Sequence, residues 1–314
     1  MDVDSESPED LLLRACCGGE IEVVDRLLRS RASVNAKGPD GTTPLLAACE
    51  AGSVALQLSS ALISARSDVE AEDKEGYGIA LCAAMAGNLD LLASFAEHGY
   101  ITFAECSQDG STLLLCAAAS GSRSVVSWLL DGPAGFVQPG ASALSSLLEQ
   151  DSRGADAVLV AGEFGAIDVL KELLGRGANA ATVDGHGSGL LHYAAAGGHV
   201  QMVKHCIQHL GAPVSAKDAD GDTPLLIACH EGHLEVVKLL LECKSQLSER
   251  NSQNMSAAMS AAAGERHEVI AFLVQRAGGE AQLWNDELAL HPELVLGYLE
   301  RGALTDVQPD AMHD

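Results

Sequence analysis

The chain has 314 residues, of which 44 are acidic and 19 basic, so its formal net charge at pH 7 is −25. A chain this acidic repels a phosphate backbone and lacks the stripe of lysine and arginine that carries nucleic-acid affinity. We therefore expect no nucleic-acid partner and no attachment to an anionic membrane surface. No stretch approaches the roughly 18 consecutive apolar residues of a membrane span.

The N-terminal segment 1–7 is acidic and lacks both the basic and the apolar part of a secretory signal. The nine cysteines are scattered, without the close pairs that metal sites use. This usage predicts free, mostly buried thiols in a reducing compartment. The cytoplasm is the expected location, with the nucleus as an alternative.

From residue 8 onwards the chain repeats itself. One short pattern, typified by residues 218–241, returns with a glycine at a fixed internal position at intervals of 33 to 35 residues, and once at 44. The positions are Gly19, Gly52, Gly87, Gly121, Gly165, Gly198 and Gly232, with Glu265 in the eighth copy. A period of this length is typical of arrays of helix pairs. Each copy predicts a first helix with small residues and, after the glycine, a second helix with an apolar stripe.

The first unit (8–38) opens with Pro8 rather than a Thr-Pro pair, and we interpret it as an N-terminal cap. The long interval contains an insertion at 133–150, which predicts a loop and a short helix over Ser142–Glu149. A functional and a neutral insertion are equally open. After the eighth unit, a degenerate ninth unit containing Trp284 predicts a C-terminal cap, and residues 304–314 an acidic, disordered tail.

The residue types within each copy resemble the ankyrin repeat. Residues 218–241 read DADGDTPLLIACHEGHLEVVKLLL, residues 187–199 form a second good copy, and Asp40–Leu45 opens a third. The resemblance covers residues 8–303. It implies one all-α domain, an ankyrin-repeat solenoid of antiparallel helix pairs with β-turn or hairpin fingers between them.

One departure from the family pattern concerns stability. The resemblance implies that the Thr and His of T-P-L-H hydrogen-bond within a repeat, yet Thr43, Thr112 and Thr223 each lack the His, and His192 lacks the Thr. We expect an array softer than the family consensus. Its sixth and seventh units (184–250) should be the best protected from hydrogen exchange.

Residues that resemble chemical motifs all fall on repeat positions. His230 and His233 are one residue short of the spacing of a zinc-protease motif, and a glycine lies between them. The glycine-rich segment 185–189 lacks the strand that a phosphate loop requires. Cys16, Cys49 and Cys229 share one small-residue position. We therefore predict no catalytic residues, no metal site and no cofactor, and a chain that is not an enzyme.

Ankyrin arrays generally bind proteins on the concave side, through the fingers and the exposed face of the first helices. The resemblance maps these contact positions onto Lys74, Glu75, Tyr77, Met85, Arg153, Glu163, Phe164, His186, Tyr193, Asp220, Asp222, His230, Glu231, Gln253 and Met255. Tyr77, Phe164 and Tyr193 stand out because aromatic residues are only 4% of the chain and often anchor interfaces. Acids flanking aromatics suit a basic or amphipathic segment of a protein partner.

The leading functional hypothesis is a monomeric protein-binding module or scaffold with no chemistry of its own. The first alternative is a regulatory or substrate-adaptor subunit, which a co-purifying catalytic subunit would favour. The second alternative is an unrecognised enzyme or a metal-binding protein, for which bound zinc or a bound small molecule would speak.

Overall fold

The computed structural model describes residues 7–132 and 147–277. Within these ranges the backbone forms sixteen α-helices, and β-structure is limited to two isolated bridges. The predicted all-α class is confirmed. The predictions for the N-terminal tail, the ninth unit and the C-terminal tail lie outside the described residues. So does most of the insertion, but Leu147 and Leu148 form a turn where the end of a helix was expected.

The helices come in pairs, one pair per repeat, and short turns connect the two members. In chain order the pairs are α1 Pro8–Cys17 and α2 Ile21–Arg29; α3 Pro44–Cys49 and α4 Ala55–Ser64; α5 Ile79–Met85 and α6 Leu89–Glu97; α7 Leu113–Ser120 and α8 Arg123–Asp131; α9 Ala157–Glu163 and α10 Ile167–Gly175; α11 Leu190–Ala196 and α12 Val200–Gln208; α13 Pro224–Glu231 and α14 Leu234–Glu242; α15 Ala257–Ala263 and α16 His267–Ala277. A single 3₁₀ turn, Gly52–Val54, lies between α3 and α4.

The chain divides into two compact units, residues 1–182 and residues 183–314. In the first unit the first helices α1, α3, α5, α7 and α9 pack successively against one another, and the second helices α2, α4, α6, α8 and α10 form a parallel row. The second unit repeats this arrangement with α11, α13 and α15 in one row and α12, α14 and α16 in the other. The prediction of one ankyrin domain over 8–303 stays a prediction.

The first helices begin where the sequence places their caps. The Thr43 hydroxyl oxygen accepts a hydrogen bond from the Leu46 N–H, Pro44 follows at the first helical position, and Thr223 caps α13 in the same way. Such caps satisfy N–H groups that have no partner within the helix. Thr112 departs from the pattern, since its buried hydroxyl has no hydrogen-bond partner.

In the described residues, positive φ recurs at three positions of the repeat: the finger, the turn between the paired helices and the end of the second helix. Glycine adopts such backbone without strain. The turn between the paired helices uses Gly19 and its successors up to Gly232, and Glu265 takes the same position with φ of 59°. The end of the second helix uses glycine four times but Arg31, Arg66 and Lys244 otherwise. The predicted glycine positions are confirmed, and the three basic residues are an unexpected addition to the series.

The predicted fingers are tight hairpins, each closed by a hydrogen bond between backbone groups four residues apart. Successive finger tips are also joined, because an N–H at one tip donates to a carbonyl oxygen at the tip before it. In the first unit Lys74 donates to Asp40 at 2.8 Å, Gln108 to Glu75 at 2.9 Å and Ser152 to Asp109 at 2.7 Å; in the second unit Ala219 donates to His186 at 2.7 Å and Ser252 to Asp220 at 2.8 Å. These bonds form a backbone ladder within each unit.

Candidate interaction surface

We use the term finger/first-helix surface for the finger tips and the last turns of the first helices, where the predicted contact residues lie. The tip residues Lys74, Glu75, His186, Asp220 and Gln253 are all exposed. Their backbones are held by the hydrogen bonds of the fingers. These tips offer charged and polar groups on a rigid backbone, as a protein-binding surface requires.

The three aromatic candidates occupy different environments. Phe164, just after α9, is 52% exposed. Tyr77 is half-buried, its backbone N–H donates to Asp73 at 2.8 Å, and burial raises the pKa of its phenol. Tyr193 is only 7% exposed, and its hydroxyl donates to Asp184 at 3.0 Å. The Tyr193 ring therefore packs inside its repeat, and we leave it out of the proposed surface.

Arg153 and Glu163 are tied into the frame of the fifth repeat. The Arg153 guanidinium contacts the buried Asp151 carboxylate at 2.9 Å and Glu163 at 3.2 Å. The Asp151 carboxylate also accepts the backbone N–H groups of Arg153 and Ala155. This ion triplet ties the finger to α9, and its one guanidinium and two carboxylates leave a net charge of −1.

In the second unit, three aspartates crowd one finger. Asp218 accepts the backbone N–H groups of Asp220 and Asp222, and the Asn251 amide donates to Asp222 at 2.8 Å. Burial raises the pKa of Asp222, and the charges of Asp218 and Asp220 raise it further, while the Asn251 bond opposes the shift. Met255, on the next finger, is half-buried. The environment of Asp222 thus disfavours its ionised form, unlike that of a fully exposed acid.

The side chains of two histidines, His192 and His233, connect neighbouring repeats. His230 is exposed beside Glu231, whose nearest cation is Arg266 at 3.9 Å. His233 instead donates to the Ala196 carbonyl at 2.8 Å, and His192 donates to the Ala216 carbonyl at 3.0 Å. In the part of the chain that the structure describes, no group of three or more histidine, cysteine or acidic side chains is arranged to hold a metal ion.

The nine cysteines are free thiols, as predicted, and five of them are buried. Burial raises the pKa of Cys16, Cys116 and Cys206 to about 12 and shifts those of Cys49 and Cys229 higher still. Thiols with such pKa values stay protonated at neutral pH and are poor nucleophiles. The shared cysteine position therefore provides small apolar packing.

A groove in the first unit was not foreseen. It measures about 430 Å³ and lies between the first two fingers and helices α1, α3 and α5. Its lining includes four carboxylates, Asp10, Asp40, Glu50 and Asp73, with a single cation, Arg14. We call it the acidic groove. The recurrence of acids at finger tips and helix ends in the first three repeats is a signal in the sequence that points to it.

A second groove, of about 650 Å³, shares Glu50 with the acidic groove and continues past Met85 and Asp90. Met85 lies at the end of α5 and is 38% exposed. An exposed methionine beside carboxylates offers a partner both apolar and electrostatic contact.

Within the described residues no helix is long and apolar enough to cross a membrane, and the longest, α16, has 11 residues. A helix that spans a bilayer needs about 20 residues.

Two family models of ankyrin repeats match the chain. The model described as ankyrin repeats (3 copies) matches residues 158–251 and 191–285, and the model described as ankyrin repeats (many copies) matches residues 80–130. Together they cover more than half of the chain, and both helices of the fourth repeat begin inside the second match.

Curated relatives share the repeat region only. The ankyrin repeat and KH domain-containing protein mask-1 of Caenorhabditis elegans is 27% identical over 237 residues, covering 73% of this chain and 8% of that protein. Protein glp-1 of Caenorhabditis elegans is 34% identical over 143 residues, covering 42% and 11%. The E3 ubiquitin-protein ligase KEG of Arabidopsis thaliana is 27% identical over 183 residues, covering 58% and 11%.

The chain thus spans about a tenth of the length of these relatives, and their activities as whole proteins do not transfer to it by similarity. What they share with it is the repeat, its period and its helix pairs. The family models, the relatives and the helix pairs agree, and the chain belongs to the ankyrin-repeat family.

Proposed function

We propose that the chain is a binding module or scaffold that recognises a protein partner through its finger/first-helix surface. Ankyrin repeats generally mediate protein–protein interaction, and this supports the class of function. The observation that carries the choice of surface is the exposure of Met85 and Phe164. Both large apolar side chains lie at the end of a first helix, and Met85 shares its groove with the carboxylates of Glu50 and Asp90, whereas most large apolar side chains in the described residues are buried.

Partner binding should depend on these two side chains. The test compares capture of a partner from a lysate of the source cells by the natural chain and by a Met85→Ala, Phe164→Ala double variant. Leu56→Ala is the matched control, since Leu56 is also 38% exposed but lies on the second helix α4. Truncating an apolar anchor at the centre of an interface costs about 2 kcal/mol or more, which is about 30-fold in affinity.

A partner that the double variant loses and the Leu56 variant keeps supports the proposal. Loss with both variants, or with neither, contradicts the choice of surface. Circular dichroism must first show that all three proteins have the same helix content.

A second function, as a regulatory or substrate-adaptor subunit, is favoured by one relative whose name is E3 ubiquitin-protein ligase KEG. In that protein the matched region makes up 11% of the length, so an ankyrin segment there belongs to a chain named as an enzyme. Mass spectrometry of the captured material distinguishes the two functions. A stoichiometric catalytic subunit supports the adaptor, and a partner without catalytic activity supports the scaffold. We propose the cytoplasm as the place of action and a monomer as the free form.

A further inference from the structure

The acidic groove has apolar walls and a charged rim. Leu46 and Ala47 of α3 are buried beneath it, and Leu13 of α1 forms one side. The carboxylates of Asp40 and Asp73 lie on the two fingers above, and Glu50 follows the end of α3. Its volume is within the range of protein sites that hold a small side chain or ligand.

Negative charge predominates in the groove, because four carboxylates and one cation, Arg14, line it. In the described residues none of Asp40, Glu50 and Asp73 forms an ion pair with a lysine or arginine. One carboxylate oxygen of Asp73 accepts the backbone N–H groups of Glu75 and Tyr77, which holds this carboxylate in place. Fixed carboxylates around an apolar floor create a strong negative potential, because the low-dielectric walls concentrate the field.

Two thiols, Cys17 and Cys82, line the groove beside these carboxylates. Burial raises the pKa of Cys17, and the carboxylates of Glu50 and Asp40 raise it further. Burial likewise raises the pKa of Cys82 to about 12, with Asp73 and Glu50 adding to the shift.

We propose that the acidic groove binds an arginine side chain that a protein partner presents on a basic, partly apolar segment. The inference rests on the proposed function and assigns it a subsite. The aliphatic stem lies along Leu13 and Leu46, and the guanidinium meets the carboxylates of Glu50 and Asp73. Arginine suits the groove better than lysine because its planar head has five donors and is more weakly hydrated than an ammonium group.

The second groove, which adjoins the acidic groove, indicates the type of residue that accompanies the arginine. It begins at Glu50, which both grooves share, and leads to the exposed Met85 side chain. An apolar residue of the same segment packs against Met85. The partner segment therefore carries both a positive charge and an apolar side chain within a few residues.

The test measures binding of a labelled short peptide with two arginines and two leucines among alanines, by fluorescence anisotropy at physiological salt. Matched peptides replace each arginine with citrulline, which keeps the shape and removes the charge, or with lysine. The groove variant combines Glu50→Gln and Asp73→Asn. Asn251 accepts the corresponding two N–H groups in the eighth repeat, so an asparagine at position 73 preserves the turn.

The control variant combines Glu97→Gln and Asp218→Asn, which remove the same two charges elsewhere. Asp218 holds the same kind of turn in the second unit, and Glu97 is exposed at the end of α6. We expect the groove variant to bind the arginine peptide about tenfold more weakly and the control variant to change the affinity less than about twofold.

A second readout gives the location of the peptide. Bound peptide should slow maleimide labelling of Cys17, which lines the groove, and leave labelling of Cys106 unchanged. No binding of the arginine peptide, equal loss in both variants, or equal protection of both thiols overturns the proposal. Equal affinity for the lysine peptide overturns the assignment of arginine.

Failure of this subsite is distinguishable from failure of the proposed function. A partner that is still captured through Met85 and Phe164, while the arginine peptide does not bind, refutes the subsite alone. Loss of the Met85 and Phe164 dependence refutes the surface itself.

Discussion

Replacing Glu265 with glycine should stabilise the protein. Glu265 has φ of 59° at the turn position where the seven earlier repeats have glycine, and its side chain is exposed. Left-handed backbone costs a residue with a Cβ roughly 1–2 kcal/mol of conformational energy. Glycine avoids this strain but costs about 0.5–1 kcal/mol in backbone entropy on folding. The difference predicts that Glu265→Gly raises the free energy of unfolding by about 0.5–1 kcal/mol.

Urea denaturation followed by circular dichroism measures this change. In a thermal melt of a domain of 150–250 residues, 1 kcal/mol shifts the melting temperature by about 2–4 °C, so the expected rise is about 1–4 °C. Glu265→Ala is the control, because alanine removes the carboxylate but keeps the Cβ. We expect it to change stability by less than about 0.5 kcal/mol. An equal gain from alanine and glycine would refute the backbone argument and assign the effect to the charge.

Three further predictions follow from other positions. Gly264→Ala should destabilise the protein by about 1–3 kcal/mol, because the new Cβ would overlap the backbone carbonyl of His230 in the preceding repeat. A Cβ at Gly175 meets no neighbour, so Gly175→Ala should raise the free energy of unfolding by about 0.5–1 kcal/mol. Thermal melts of the two variants check both values. The folded pKa of Asp222 is raised, so its ionisation disfavours the folded state as pH increases through that pKa. Asp222→Asn should therefore raise the melting temperature more at pH 7 than at pH 4, and an equal rise at both would contradict the assignment. Maleimide labelling of the folded protein, read by peptide mass mapping, should be slow at Cys17, because burial and then the charges of Glu50 and Asp40 raise its pKa and leave little thiolate. Labelling of Cys17 faster than that of the exposed Cys106 would contradict this.

The sequence alone predicts the framework because its signals are local. The period follows from glycines such as Gly121 and Gly232, each of which has the positive φ that ends a first helix. The caps follow from Thr43 and Thr223, whose hydroxyls accept the expected N–H groups. Each of these features depends on a few adjacent residues and recurs in other repeats.

The surface was harder to predict because it depends on contacts between repeats. Tyr193 is an aromatic residue of the kind that anchors interfaces, yet its side chain is buried and its hydroxyl donates a hydrogen bond to the Asp184 carboxylate. The acidic groove combines side chains from three repeats, among them Asp10 and Asp73, and no single repeat contains it. The positive φ of Arg31 was not predicted either, because a basic residue gives no local signal for such a conformation.

The backbone ladder between finger tips separates the framework of each unit from its surface chemistry. The bond from Lys74 to Asp40 and that from Gln108 to Glu75 use only main-chain N–H and carbonyl groups. Any residue other than proline supplies the donor, so side chains at these tips can change with little effect on the connection between fingers. A framework of this kind tolerates mutational drift at its contact residues, and it can acquire a new binding specificity one side chain at a time while the fold is kept.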